Sequence, residues 1–452
     1  MNASLHFATA LLPDGWATNV RIGIQDGRIA AIDTDETSAA TDERHAIALP
    51  GLPNLHSHAF QRGMAGLAEV RGRSDDSFWT WRAIMYRFVD RLTPDDLAAI
   101  ARQAYAEMLE SGFTRVGEFH YLHLDRDGRP FADPAEMSAA IIAAAQDTGI
   151  ALTHLPVFYA HAGFGGSAPG EGQRRFVHDI DGFATLLDAV RAKAAALPDA
   201  VIGIAPHSLR AVTPEELAAL PPLAGDAPIH IHIAEQMREV EDCLAWSGSR
   251  PVAWLLDHAP VDARWCLVHA THMTDAETLA MARSGAVAGL CPITEANLGD
   301  GLFPAEAFLA AGGRYGVGSD SNVRIDVTEE LRLLEYGQRL VRRGRNLLAM
   351  QPGGSTGAAL WRGALGGGAQ ALGVEAGLRV GASADIVSLD PDHASLAERS
   401  GDALLDGLVF AGGREGIDRV WRRGREVVTN GRHIARDAIA TRYRATLARL
   451  IA

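Results

Sequence analysis

Cysteine is scarce: Cys243, Cys266 and Cys291 are the only three, far apart and in no CxxC spacing. That argues against a disulfide framework and against a thiolate zinc site. No apolar run reaches the roughly 18 uninterrupted residues of a membrane span. The opening stretch, MNASLHFATALLPDGW, has neither a basic leader nor a long apolar core, so no signal peptide is expected. Basic excess is also missing. Lys and Arg number 42 against 56 Asp and Glu, a net charge of −14, which argues against a nucleic-acid partner. An acidic chain has no general attraction for anions, so any anionic ligand must be held by local arginines. There is no low-complexity tract. What remains is a chain of 452 residues, 47% hydrophobic and 22% charged, ordinary for a protein with a sizeable core. A reduced, cytoplasmic protein is the expectation.

Hydrophobic rhythm gives the organisation. The segment Arg21 to Asp33 alternates and turns at Asp26-Gly27, a hairpin signal. Short apolar runs then recur, each followed by a helical pattern. They are AIALPGLPNL near 47–55, Thr114 to Phe119, Ala151 to Phe158, Val201 to Pro206, Ile229 to Ala234, Trp265 to Ala270, Ala286 to Cys291 and Tyr315 to Asp320. Eight strands alternating with helices is the pattern of a (β/α)₈ TIM barrel. Thr93-Pro94 followed by two Asp residues reads as a helix start, with Gly112 as its stop; Thr213-Pro214-Glu215-Glu216 repeats the start signal. After about residue 373 the rhythm returns to strand and turn. The expected organisation is α/β: a barrel over 49–372, a small β-sandwich domain formed from segments 1–48 and 373–435, and a C-terminal surface helix over 436–452. The Gly-rich stretch from Gly163 to Gln173 follows the third strand and reads either as a mobile lid or as a plain surface loop.

Barrel enzymes place their chemistry where strands end. The first run is followed by His56-Ser57-His58, whose imidazoles at i and i+2 point the same way along a strand. The fifth carries His232, with Glu235 three residues on; the sixth ends at His269 and the eighth at Asp320. Each residue alone has an ordinary structural reading: an HxH pair by chance, a buried core histidine, an Asx-turn aspartate. Their joint placement at the ends of strands one, five, six and eight points to a metal centre with nitrogen and oxygen ligands suited to zinc.

These segments, PGLPNLHSHAFQRG, HIHIAEQ, LVHATHM and GVGSDSN, resemble the amidohydrolase superfamily in its mononuclear-zinc deaminase branch, and the likeness extends to the closing GLRVGASADIVSLD. A nearer resemblance, carried by GEFHYLH, PHSLRAVTP and FWTWRAIMYRF, is to the formimidoylglutamate deiminase family. The resemblance implies that His56, His58, His232 and Asp320 bind one Zn²⁺ per chain. It implies that Glu235, His269 and Asp320 handle protons. A His₃Asp set does not by itself select zinc over iron. Binuclear relatives carry a bridging lysine on the fourth strand; VIGIAPHS has none, which supports one metal.

The implied reaction is hydrolysis of N-formimino-L-glutamate to N-formyl-L-glutamate and ammonia, in histidine degradation, by a homodimer. A dicarboxylate needs cations, and the resemblance supports Gln61, Arg82, Tyr121, His207 and Arg210 as substrate contacts. Arg82 also reads as the solvated face of an amphipathic helix, and Arg210 as a cap or partner of Glu215. Two rivals stand beside this reading. One is a deaminase of guanine, an adenosine-like compound or another amidine, which leaves both arginines unexplained. The other is a barrel that has lost catalysis and serves as a scaffold, which the full set of ligands opposes.

Overall fold

In the computed structural model, which describes residues 3–72 and 77–452, the eight predicted runs line one barrel. Its strands are Leu52–Ser57, Phe113–His120, Ala151–Phe158, the split pair Val201–Ile202 and Ala205–Pro206, Ile229–Ile233, Trp265–His269, Val287–Leu290 and Arg314–Val317. Neighbours pair in parallel within two groups, the first to fourth strands and the fifth to eighth. Isolated parallel bridges close the two seams. Ile204 with Ile229 and Ser208 with His232 join the fourth strand to the fifth, and Ser57 with Asp320 joins the first to the eighth. Strands buried on both faces read as continuous apolar runs because helices cover the outside while side chains fill the inside.

The first run divides where the sequence reading had left it whole. Glu43–Pro50 belongs to a different sheet, and the barrel strand begins at Leu52. The switch falls at Gly51. Its N–H still donates to the Asp385 carbonyl of the outer sheet, while the next N–H, of Leu52, already donates to Gly112 beside the barrel.

That outer sheet joins both ends of the chain. Its eight strands run in the order Arg432–His433, Arg425–Thr429, Ile417–Arg422, Ile386–Leu389, Glu43–Pro50, Ala3–Leu12, Gly15–Gln25 and Arg28–Asp33. The turn at Asp26-Gly27 has positive φ at both residues, 52° and 81°, the twist that a two-residue hairpin favours. The segment between Leu389 and Ile417 is not strand; it carries the short helix Asp402–Gly407.

Helix starts follow the local signals. Thr93 caps Pro94–Glu110 and Thr213 caps Pro214–Ala224, each accepting the N–H of the third helical residue. The C-terminal helix Arg436–Ile451 lies along Pro94–Glu110, with Arg449 on Asp96 and Arg436 beside Glu107 and Glu110.

The outer sheet is pinned to the barrel by one buried arginine. Arg422 pairs with Asp199 at 2.5 Å and with Asp385, and Asp199 also pairs with Arg115 of the second barrel strand at 3.4 Å. Burial pushes the Asp199 carboxyl up, but Arg422 and Arg115 outweigh it and hold the pKa below its usual value. Replacing Arg422 by Met takes the arginine from Asp385 and leaves Asp199 with Arg115 alone, at 3.4 Å. The expected cost is about 3–5 kcal/mol, read as a lowered midpoint in chemical or thermal unfolding; an unchanged midpoint would show that the pairing contributes nothing. The pH sign follows from the depressed carboxyl. Stabilisation by Asp199 is complete above its unfolded pKa of about 3.9 and is lost as pH falls through the lower folded value.

Candidate active site

The barrel seam assembles the centre. The Asp320 N–H donates to the His56 carbonyl and the His58 N–H to the Asp320 carbonyl, each at 2.9 Å, so closing the barrel brings the acid against both histidines. Gly318 permits the approach. A Cβ there would sit 2.7 Å from the His56 oxygen and 2.8 Å from its nitrogen, inside contact distance. Ala234, His269, Asp320 and Asn322 all have positive φ, between 43° and 67°. Such left-handed backbone at non-glycine residues costs about 1–3 kcal/mol each and clusters at functional sites.

The four predicted ligands converge. The His56 Nε2 lies 3.0 Å from the His232 Nε2 and 3.2 Å from the His58 Nε2. The Asp320 Oδ1 lies 3.4 Å from the first and 3.2 Å from the last. The outward nitrogens decide the tautomers. His58 Nδ1 donates to the Phe119 carbonyl at 2.9 Å and His232 Nδ1 to the His207 carbonyl at 3.1 Å. Burial lowers the pKa of His56 to about 3 and that of His232 well below its usual value, which keeps both rings neutral. His232 therefore aims a lone pair inward, and His58, which also donates outward through Nδ1, turns its Nε2 to the same point. A cation at the centre satisfies all four donors together, so the residues fit a metal, with outer hydrogen bonds fixing the rings.

The other predicted residues surround it. A cleft of about 580 Å³ opens above the cluster, lined by Gln61, Arg82, Tyr121, His207, Arg210, Glu235, His269 and Asp320 among others. The His269 Nε2 is 3.9 Å from Glu235 Oε1 and 3.8 Å from Asp320 Oδ2. Burial raises the Glu235 carboxyl to about 7. Burial opposes a charge on His269, but Glu235, Glu295 and Asp320 around it prevail and raise its pKa to about 10. Gln61 donates to the Tyr121 hydroxyl at 3.0 Å and leaves its own carbonyl oxygen buried without a partner.

The two arginines stand apart from the surface pairs elsewhere. Arg82, on the helix Phe78–Val89, hydrogen-bonds to the hydroxyls of Tyr86 and Tyr159 and lies over the Trp79 ring; among the described residues no carboxylate pairs with it. Arg210 has one carboxylate near, Glu239 at 3.9 Å, and its Nε is buried without a partner. The Gly163 to Gln173 stretch folds over this side. Phe164 stacks on Trp246, and Gln173 is buried and donates to the Tyr159 hydroxyl.

Sequence reasoning passed over three acids. Glu239 accepts the backbone N–H groups of Ala234 and Glu235 at 3.2 and 3.3 Å. Asp300, buried, accepts from Gln236. Glu295 meets the far nitrogen of His269 at 3.2 Å. Glu295 follows the seventh strand closely, so the strand-end rule that found the other residues also reaches it.

Comparison with known proteins agrees with this geometry. The model of the amidohydrolase family matches residues 47–427, and that of the N-terminal domain of formimidoylglutamate deiminase HutF matches residues 3–46. The chain belongs to the amidohydrolase family, and within it to the formimidoylglutamate deiminases. A formimidoylglutamate deiminase of Pseudomonas aeruginosa is 54% identical over 447 residues, 98% of each chain. The crystal structure of an amidohydrolase from Brucella melitensis superposes with a TM-score of 0.97 at 57% identity, covering 100% of both chains. An adenosine deaminase from Xanthomonas campestris, solved with bound zinc, shares the fold at a TM-score of 0.81 and 23% identity, over 99% of this chain and 98% of that one. No helix among the described residues is long and apolar enough to cross a membrane.

Proposed function

We propose that the protein hydrolyses N-formimino-L-glutamate to N-formyl-L-glutamate and ammonia, with one zinc ion held by His56, His58, His232 and Asp320. The observation that carries the substrate is the pair Arg82 and Arg210. Both line the cleft; Arg82 has no carboxylate partner among the described residues, and Arg210 has only Glu239, at 3.9 Å. A largely buried guanidinium so weakly paired favours an arriving anion, and its fork suits a carboxylate. A flat heterocycle brings no anion to either. The 54% identity to the Pseudomonas aeruginosa deiminase supports the same substrate.

The roles follow from position. The metal, when bound, supplies a water made acidic enough to act as nucleophile near neutral pH. Asp320 and His269 orient that water, and its proton passes to Asp320 or Glu235, because the carboxylates around His269 already keep that ring protonated near neutral pH. Addition at the formimino carbon neutralises an amidinium already positive, so no negative charge has to build. Glu235, whose carboxyl burial raises to about 7, stands ready to protonate the imino nitrogen. The C–N bond then breaks and ammonia leaves. Gln61 and Tyr121 hold the formimino end, with His207 beside them. The reading also assigns the reaction to histidine degradation by a cytoplasmic homodimer.

The test is ammonia release from N-formimino-L-glutamate beside N-formimino-L-aspartate, guanine and adenosine, with metal analysis of the same preparation. Release from the glutamate derivative alone, with about one zinc per chain, is the expected result. Release from guanine or adenosine would overturn the dicarboxylate site, and two tightly bound metals would overturn the mononuclear assignment.

A further inference from the structure

His269 has two faces, and the reaction uses one. Its Nε2 looks into the cleft toward Glu235 and Asp320, at 3.9 and 3.8 Å. Its Nδ1 looks away, onto the Glu295 carboxylate at 3.2 Å. Glu295 is itself clamped. It is buried at 5% exposure in the first turn of the helix Pro292–Leu298, and the same oxygen accepts the Cys291 N–H at 2.9 Å. The turn that carries it is held from behind, because the Ile293 N–H donates to the Glu330 carboxylate at 2.9 Å. Glu295, Cys291, Ile293 and Glu330 do not line the cleft; of that helical turn only Thr294 does.

A carboxylate accepts and never donates. Opposite Glu295, the His269 Nδ1 must therefore carry the hydrogen, whatever the state of Nε2. We propose that Glu295 is the positioning residue of His269: it fixes the hydrogen on Nδ1 and the ring angle so that Nε2 alone faces the reacting water. This rests on the proposed role of His269 and adds a residue that does not touch substrate. The same oxygen, held by a backbone N–H, cannot swing away, so the ring is oriented before substrate arrives rather than by it. The arrangement follows the general rule that a reacting imidazole is oriented through its other nitrogen by a carboxylate.

Glu295→Gln tests it. The amide presents a donor as readily as an acceptor to Nδ1, so neither the hydrogen there nor the ring angle is enforced any longer. Turnover of N-formimino-L-glutamate is expected to fall about 10²–10⁴-fold, the range seen when such orienting carboxylates are lost elsewhere. KM and metal content should stay close to those of the unaltered protein. In a His269→Asn background the same substitution should cost almost nothing more, because its effect travels through the missing ring. An equal loss in both backgrounds would make Glu295 a structural residue and overturn the proposal. A fall in bound metal would do the same, placing Glu295 with His269 and Cys291 in a second metal cluster, since their donor atoms lie within 4.8 Å of one another.

A readout without substrate keeps this separate from the activity assignment. In protein labelled with ¹⁵N-histidine, the His269 signal (identified by its loss in His269→Asn) should report a protonated Nδ1, and Glu295→Gln should abolish or mix that state. A His269 signal unchanged by Glu295→Gln refutes the positioning role even if the substrate assignment holds. If the substrate assignment fails while the signal responds as expected, only the reaction is reassigned. Glu295→Asp keeps the charge on a shorter arm, and a partial recovery over Gln of both the rate and the signal is expected.

Discussion

Glu235→Gln is expected to keep its metal and lose about 10²–10⁴-fold of turnover, the contribution of one positioned proton donor. The reason is geometric and electrostatic together. Glu235 sits three residues beyond His232, at the end of the fifth strand, where its carboxyl lies 3.9 Å from His269 and in the wall of the cleft. Burial keeps its proton near pH 7 available for transfer, which an exposed glutamate would have lost. Gln has the same shape and no transferable proton, so ammonia becomes a poor leaving group while the ligand set is untouched. Metal analysis and steady-state kinetics on one preparation check both halves. Full activity in the variant removes Glu235 from the mechanism; loss of metal would instead give it a structural role at the centre.

Arg210→Met carries the second large effect. The guanidinium is mostly buried, with 11% of its side chain exposed, and its one near carboxylate is 3.9 Å away. A substrate carboxylate completing that site makes a charge-assisted pair in a desolvated wall. Removing one member of such a pair costs about 2–5 kcal/mol, or about 30- to 5,000-fold in kcat/KM. The loss should fall on the dicarboxylate and spare an uncharged formimino amine, since only the former presents an anion to position 210. Equal losses on both compounds would make Arg210 a structural neighbour of Glu239 and detach it from substrate recognition.

Much of the catalytic constellation is legible along the chain because a barrel turns linear order into spatial order. His56, His58, His232, His269 and Asp320 could be singled out as strand-end residues without any knowledge of contacts, and the structure gathers them around one point. Arg82 is the opposite case. Along the sequence it is one cation in an aromatic helix, equally suited to solvent. Only the fold lays that helix over the cleft and surrounds the guanidinium with Tyr86 and Tyr159 rather than with carboxylates. Gln173 likewise reads as part of a Gly-rich loop until its side chain is found on the Tyr159 hydroxyl.

The sequence by itself determined the alternation of strand and helix, the helix starts at Thr93 and Thr213, and the residues that end each barrel strand. These are local matters: apolar periodicity, a capping side chain within three residues, the two-residue repeat of a strand. Tertiary structure alone decided where the first apolar run breaks, which acid stands behind His269, and that Arg82 meets tyrosine hydroxyls rather than a carboxylate. Each of those depends on groups far apart in the chain. The chain changes sheets at Gly51 because Asp385 accepts its N–H while Gly112 accepts the next; Glu295 meets His269 from 26 positions away in the chain; Arg422 finds Asp199 from 223 positions away. Hydrogen bonds and charges are satisfied by whatever the closed barrel brings within about 3 Å, and closure is a property of all eight strands together.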